Sequence, residues 1–192
     1  PYSIKEWDRA AFEHDKWGRN MYGTPPQARA DYAFIQHIVA SLNKENGRCA
    51  ILLPHGVLNR GEEKSMRINH VMADNIDAII GLGRNLFYNS GLESFIMICN
   101  NNKPKERKGN ILFIEAEKLT HKEGKQAYLH REDIENIVNA YYNPNDIIGL
   151  SKYVTNEDVI KNGGNLNIKS YVKESAEEIE NGRAYHFKNL TY

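Results

Sequence analysis

The chain has 192 residues, the length of one domain of ordinary size, and it is long enough to bury a substantial core. Lysine and arginine total 25, as do aspartate and glutamate, so the formal net charge is zero and no overall basic field can by itself hold a nucleic-acid backbone. No apolar run approaches the ~18 residues that cross a membrane, and no signal-peptide pattern opens the chain, so we expect a cytoplasmic protein without a membrane partner.

The cysteines and histidines show no metal-site pattern. Cys49 and Cys99 each lie in an apolar run, RCAILLP and SFIMICN, and two isolated cysteines define neither a disulfide framework nor a metal site. We expect buried free thiols in a reducing compartment. The histidines lack the spacing of metal ligands, so no metal is predicted.

The amino-terminal third begins without clear periodicity. Residues 1–29 hold both tryptophans and the turn-rich stretch MYGTPPQARA, which predicts a long ordered loop. Apolar residues then recur at helical spacing from the N-cap candidate Asp31 until Asn46-Gly47, which predicts a helix. The next run, RCAILLP, is apolar throughout and stops at Pro54, which predicts a buried strand.

The remaining elements alternate between the two periodicities. A weak apolar stripe predicts a helix within EEKSMRINHVMADN, and strands are predicted in IDAIIGL, SFIMICN and ILFIEAE. Helices are predicted in HREDIENIVNAYYN and in NEDVIKN, the latter capped by Thr155 and stopped by Gly163-Gly164. This order is typical of an α/β sheet finished by antiparallel strands.

A glycine-rich phosphate turn is missing from this pattern. Doubly wound sheets bind their ligand where such a turn feeds a helix. The cluster Gly81-Leu82-Gly83 leads instead into a loop without helical spacing, so we do not assign it as a phosphate cradle.

Three stretches together carry a family resemblance: YGTPPQARADYAFIQHIVASL, GRCAILLPHGVLNRGEEKSMR and IDAIIGLGRNLFYNSGLESFIMICNNNKPKERKGNILFIEA. In order and spacing they resemble the methylation subunit of type I restriction-modification systems, an adenine-specific DNA methyltransferase. REDIENIV and GGNLNIKSYV look like its closing segments. The resemblance implies the C-terminal half of a doubly wound S-adenosylmethionine-dependent methyltransferase sheet, ending in antiparallel strands, over residues 1–172, with a charged tail or linker over 173–192.

The resemblance also implies catalytic residues at the first positions. Enzymes of this kind carry a motif of Asn or Asp, two prolines, and Tyr or Phe, and Pro1-Tyr2 stand where its second proline and its aromatic would stand. Tyr2 is expected to stack on the extruded adenine. The motif's amine acceptors and the S-adenosylmethionine site are expected upstream of Pro1, so the 192 residues alone are expected to be inactive.

Two loops supply the other candidate residues. In GRNLFYNSGLE, the resemblance implies that Phe87, or else Tyr88, packs on the flipped base from the other side; the alternative is an aromatic that pins the loop to the sheet. In LLPHGVLNRG, Asn59 and Arg60 are candidates for DNA contact or for support of the site, while His55 lacks the partners of a catalytic triad. The chain departs from the family pattern at Asn59 and in both loops.

One local basic run, KPKERKG at 103–109, is interpreted as a solvated hairpin tip, with contact to DNA phosphates as the alternative. The implied function is methyl transfer from S-adenosylmethionine to adenine in double-stranded DNA, in a complex with a specificity subunit and a restriction subunit. The competing hypothesis is a truncated, non-catalytic interaction module of the same fold.

Overall fold

The computed structural model describes residues 4–87 and 91–174. The helices are α1 Arg9–Glu13, α2 Asp31–Ala40, α3 Lys64–Met72, α4 Arg131–Tyr142 and α5 Asn156–Lys161. The strands are β1 Arg48–Pro54, β2 Ile76–Leu82, β3 Ser94–Asn100, β4 Asn110–Glu115, β5 His121–Glu123, β6 Gln126–Tyr128 and β7 Ser151–Thr155. Within these ranges, no helix is long and apolar enough to cross a membrane.

Five strands form one mixed sheet in the order β1-β3-β2-β4-β7. β2 and β4 are parallel, whereas β3 runs antiparallel to both β1 and β2, and β7 runs antiparallel to β4. Strands β5 and β6 form a separate hairpin. The predicted α/β sheet with antiparallel strands is therefore present.

Helices cover both faces of this sheet. The first core packs α2, α3 and α5 on one face, and its fully buried sheet residues include Ile79, Phe95, Met97, Ile111 and Phe113. The second core packs α4 on the other face, around Ala78, Ile80, Leu112, Ile114 and Ala140. Burying a side chain such as Ile or Phe stabilises the fold by roughly 1.5–3 kcal/mol, so central strands with two buried faces are apolar throughout.

Three strand predictions match the structure, and several other boundaries move. The predicted strand ILFIEAE is observed as Asn110–Glu115. Asp31 is the first residue of helix α2, and its carboxylate accepts from Arg60 rather than capping the helix. The helix ends at Ala40, ahead of Asn46-Gly47. Thr155 caps α5 as predicted, by accepting a hydrogen bond from the Asp158 N–H.

Four short elements were not predicted from sequence: α1, β5, β6 and β7. Helix α1 has only five residues and is capped by Asp8, which accepts from the Ala11 N–H. The hairpin strands have three residues each, too few to show a period. Strand β7, SKYVT, carries one buried aliphatic residue and forms because β4 offers it a free edge.

The interpretation of 103–109 as a solvated hairpin tip is wrong. Strands β3 and β4 do not pair, since β2 lies between them, so this segment is a crossover connection. Lys103 and Arg107 are buried. Arg107 lies 3.2 Å from the Asp77 carboxylate and its guanidinium packs over the Tyr141 ring at 4.5 Å. The two residues therefore attach the crossover to the protein, and neither is free for DNA.

Cys49 and Cys99 are free thiols that face each other across β1 and β3. Cys99 is buried as predicted, whereas Cys49 is only half-buried because β1 lies at the sheet edge. Of the predicted tail 173–192, residues 175–192 lie outside the described ranges.

Candidate functional site

A cavity of about 440 Å³ lies where β1 ends and β3 begins. Pro54, the last residue of β1, is opposite Ser94, the first residue of β3, and the His55 N–H donates to the Glu93 carbonyl at 3.1 Å. Beyond Pro54 the chain turns away through a short 3-10 helix that buries Val57. This turn leaves an open space beyond the carboxyl end of β1, and ligands of α/β folds usually bind at the carboxyl ends of strands.

One wall of the cavity is tied to the amino-terminal segment. The Ala30 N–H donates to the Ile4 carbonyl at 3.1 Å, next to Arg29 in the cavity wall. Trp7 donates its indole N–H to the Gln27 carbonyl at 2.8 Å, and the Gln27 amide donates back to the Trp7 carbonyl at 2.9 Å. These bonds bring the chain that follows the predicted catalytic positions to this wall. Pro1 and Tyr2 themselves lie outside the described residues.

The opposite wall is the returning part of the loop between β2 and β3. Leu92 and Glu93 line the cavity, and Leu92 is 57% exposed. At the other end of the loop, Asn85 adopts a positive φ of 61°, and its carbonyl accepts from the Ala127 N–H and the Gln126 amide, both at 2.9 Å. The hairpin β5–β6, which the sequence did not predict, thus supports this loop.

Of the two aromatic residues predicted to contact the base, the structure describes one. Phe87 is half-buried and packs against the second core, which is the packing role offered as its alternative. Its contact with a base stays a prediction. Tyr88 lies outside the described residues.

Arg60 is an internal residue in this structure. Its guanidinium donates to Asp31 at 2.6 Å and lies 3.5 Å from Glu63, and its side chain is only 19% exposed. It therefore joins the start of α2 to the turn after β1, which favours support of the site over direct DNA contact. Asn59 is exposed at the end of the 3-10 helix, where its N–H donates to the Gly56 carbonyl.

Two buried charged residues, Glu63 and Arg67, lie behind the cavity wall that contains Arg29. Glu63 is fully buried, and one of its carboxylate oxygens has no hydrogen-bond partner within the described residues. Burial, together with the nearby charge of Asp31 and against the opposing effect of Arg60, raises the pKa of Glu63 to about 7. Arg67 is also buried, and it donates to three backbone carbonyls, those of Val57, Arg60 and Gly164.

His55 and the ion pair between Arg84 and Glu93 also line the cavity. Burial lowers the pKa of His55, so its imidazole is neutral at pH 7. Arg84 donates to Glu93 at 2.6 Å, and this hydrogen bond lowers the pKa of the Glu93 carboxyl. The net charge of these groups on the wall opposite Arg29 is therefore close to zero.

The glycine pair at the end of β2 does not fit a cofactor cradle. A Cβ at Gly83 would overlap the side chain of Thr120, and one at Gly81 would lie 3.1 Å from Ile168. Both glycines therefore serve packing within the chain. Among residues 4–87 and 91–174, no group of three or more acidic, histidine or cysteine side chains is placed to hold a metal ion.

Sequence reasoning did not single out Arg29 and Glu63 as parts of this site. Arg29 is two residues before Asp31, within one of the quoted stretches, but its place in a cavity wall depends on the contact between Ala30 and Ile4. Glu63 follows Glu62 in a polar run, where nothing local indicates burial.

Comparison with known proteins gives consistent matches. The family model described as N-6 DNA Methylase matches residues 1–180. The type I restriction enzyme MjaVIII methylase subunit of Methanocaldococcus jannaschii is 41% identical over 175 residues, 88% of this chain and 30% of that protein. The MjaVII methylase subunit of the same organism is 38% identical, over 94% of this chain and 33% of that protein.

A solved structure matches as well. The type I restriction-modification system methyltransferase subunit from Streptococcus thermophilus superposes with a TM-score of 0.82 and is 34% identical, covering 90% of this chain and 36% of that one. The present chain thus spans about a third of the length of the relatives it matches.

Proposed function

Because the chain belongs to the N-6 DNA methylase family, we propose that it is part of an enzyme that methylates the amino group of adenine in double-stranded DNA, as the methylation subunit of a type I restriction-modification complex. The family resemblance and the methyltransferase fold class predicted from sequence are both confirmed. S-adenosylmethionine would supply the methyl group, and we propose that its site lies upstream of Pro1. The close packing around Gly81 and Gly83 supports a site away from that pair.

The observation that carries this proposal is the cavity at the end of β1. The hydrogen bond between Ala30 and Ile4 ties the segment that follows Tyr2 to one wall, and the loop that contains Phe87 and Tyr88 forms the other. The cavity thus lies between two parts of the chain that adjoin, in sequence, the positions to which the resemblance assigns contact with the base, and this supports the proposal.

The chemistry requires such a place. The lone pair of the adenine amino group is delocalised into the ring, so the amine is a poor nucleophile and must be held in a fixed position for attack. Because the target atom is not accessible inside a duplex, the base must be extruded. Stacking on an aromatic ring contributes roughly 1–3 kcal/mol per base, and we assign that role to Tyr2, with Phe87 or Tyr88 on the opposite side. Asn59 and Arg60 would support the walls.

The charge of the chain supports a shared grip on DNA. With 25 basic and 25 acidic residues, it has no net field to hold a polyanion. We therefore propose that a specificity subunit supplies much of the DNA contact and that a restriction subunit completes the complex. With cellular DNA as its substrate, we propose that the complex acts in the cytoplasm.

Methylation by the intact subunit tests the proposal. The subunit and its specificity partner would be incubated with duplex DNA and S-adenosylmethionine, and the hydrolysed DNA analysed by mass spectrometry. We expect N6-methyladenine in the DNA only when both subunits and S-adenosylmethionine are present. Methylcytosine as the product would contradict adenine as the target base. Unmodified DNA with a complex that binds both DNA and cofactor would favour the interaction-module hypothesis.

A further inference from the structure

Arg29 is a half-buried arginine in the cavity wall whose guanidinium makes no ion pair or hydrogen bond within the described residues. The other two arginines of the cavity have carboxylate partners, Arg60 with Asp31 and Arg84 with Glu93. The backbone of Arg29 is held by its own N–H, which donates to the Pro26 carbonyl at 3.0 Å. A guanidinium without a hydrogen-bonded carboxylate among the described residues is therefore available in the wall of the cavity.

The groups beneath Arg29 do not neutralise it. Arg60 and Arg67 bring two positive charges, and Asp31 and Glu63 bring at most two negative ones. The hydrogen bonds of the Arg67 side chain all go to backbone carbonyls, so none of them goes to a carboxylate. With Arg29 included, this wall carries an excess of at least one positive charge, and an anion placed there is attracted.

The geometry points to a backbone phosphate of DNA as that anion: we propose that Arg29 binds the phosphodiester next to the extruded adenine. This inference rests on the proposed function. The guanidinium presents donors that match two phosphate oxygens at once. The neighbouring Ala30 is bonded to Ile4, two residues from Tyr2, so a phosphate held by Arg29 would belong to a nucleotide at or beside the proposed base site.

The salt dependence of DNA binding tests this contact. A fluorescently labelled duplex would be titrated with the intact subunit and its specificity partner from 50 to 200 mM salt, as wild type and as Arg29→Gln, Arg29→Lys and Lys44→Gln. Lys44 is a matched control, since it is exposed, has no partner within the described residues, and lies before the start of β1, at the other end of that strand from the cavity.

The affinity falls as salt rises, and each phosphate contact makes the slope of log K against log salt steeper by about 0.9. We expect Arg29→Gln to make that slope less steep by about one and to weaken binding about tenfold at the lowest salt. Arg29→Lys should retain the wild-type slope, because it keeps the charge, and Lys44→Gln should match wild type. An unchanged slope in Arg29→Gln, or an equal loss in Lys44→Gln, would overturn the assignment.

Free inorganic phosphate is the other source of the same chemistry. If inorganic phosphate binds wild type but not Arg29→Gln, and saturating phosphate at constant ionic strength leaves the DNA affinity of wild type unchanged, the site binds free phosphate and the phosphodiester assignment is wrong. Failure of the wild-type complex to bind any duplex would overturn the proposed function as well. Normal wild-type binding with an unaffected Arg29→Gln would overturn the Arg29 contact alone.

Discussion

The ammonium nitrogen of Lys103 lies 2.7 Å from the carboxylate of Asp74, and the lysine side chain is only 1% exposed. The same nitrogen donates to the carbonyls of Ile76 at 3.1 Å and Asn110 at 2.6 Å. Asp74, which has a positive φ of 53°, also accepts from the Gly109 N–H at 2.9 Å. One buried lysine thus joins both ends of the crossover to the turn before β2.

Replacing Lys103 by Met should destabilise the fold by about 3 kcal/mol, because the change removes the charge partner of Asp74 and the lysine donor to two carbonyls. Urea denaturation at pH 7 measures the free energy of unfolding. Lys105→Met is the matched control in the same segment, and since Lys105 is exposed it should lower the free energy of unfolding by less than about 0.5 kcal/mol. Equal effects of the two changes would contradict the buried role of Lys103.

Glu63 should make the protein less stable as the pH rises. Its pKa is about 7 in the folded protein and near 4.5 in the unfolded chain. Between these values the folded protein holds a proton that the unfolded chain has lost, so the free energy of unfolding falls as pH rises from 4.5 to 7, and the loss is complete above 7. Glu63→Gln cannot ionise and should be more stable than wild type at pH 8, by on the order of 1–3 kcal/mol.

Urea denaturation at pH 4.5, 6 and 8 checks this prediction. Wild type and Glu63→Gln should converge at pH 4.5 and separate at pH 8. The neighbouring Glu62 is exposed, so Glu62→Gln should follow the wild-type profile throughout. A Glu63→Gln variant that is less stable than wild type at pH 8 would show that the ionised carboxylate is well compensated.

The 192-residue chain by itself should not bind S-adenosylmethionine. The space beside the glycines at the end of β2 is occupied by Thr120 and Ile168 and is not open to a ligand. In addition, the chain spans about a third of the length of its relatives. Isothermal titration calorimetry of the isolated chain measures this. Micromolar affinity would contradict our placement of the cofactor site.

The strands that sequence predicts correctly are those whose local composition decides their environment. IDAIIGL is apolar enough to be buried on both faces wherever the chain places it, and all seven residues are buried. The crossover shows the opposite case. KPKERKG has the composition of a solvated turn, and Lys103 is buried only because Asp74, 29 residues earlier, supplies its partner.

The candidate site divides in the same way. The motif at Pro1-Tyr2 and the loop of Phe87 can be recognised by resemblance, because each consists of residues that are close together in the sequence. The cavity that separates the two segments depends on the hydrogen bond between Ala30 and Ile4, 26 positions apart, and on the hairpin that supports Asn85. Such contacts come from tertiary structure, which no local pattern encodes.

The most direct test of the central claim is methyl transfer by a Tyr2→Ala variant of the intact subunit, assembled with its specificity partner. Radiolabelled S-adenosylmethionine and duplex DNA would be mixed with an excess of enzyme, and labelled DNA followed in a single turnover, alongside Tyr2→Phe and a separate measurement of cofactor binding. The account predicts that Tyr2→Ala nearly abolishes transfer, that Tyr2→Phe retains most of it, and that both bind the cofactor like wild type. Transfer by Tyr2→Ala at the wild-type rate would contradict the account.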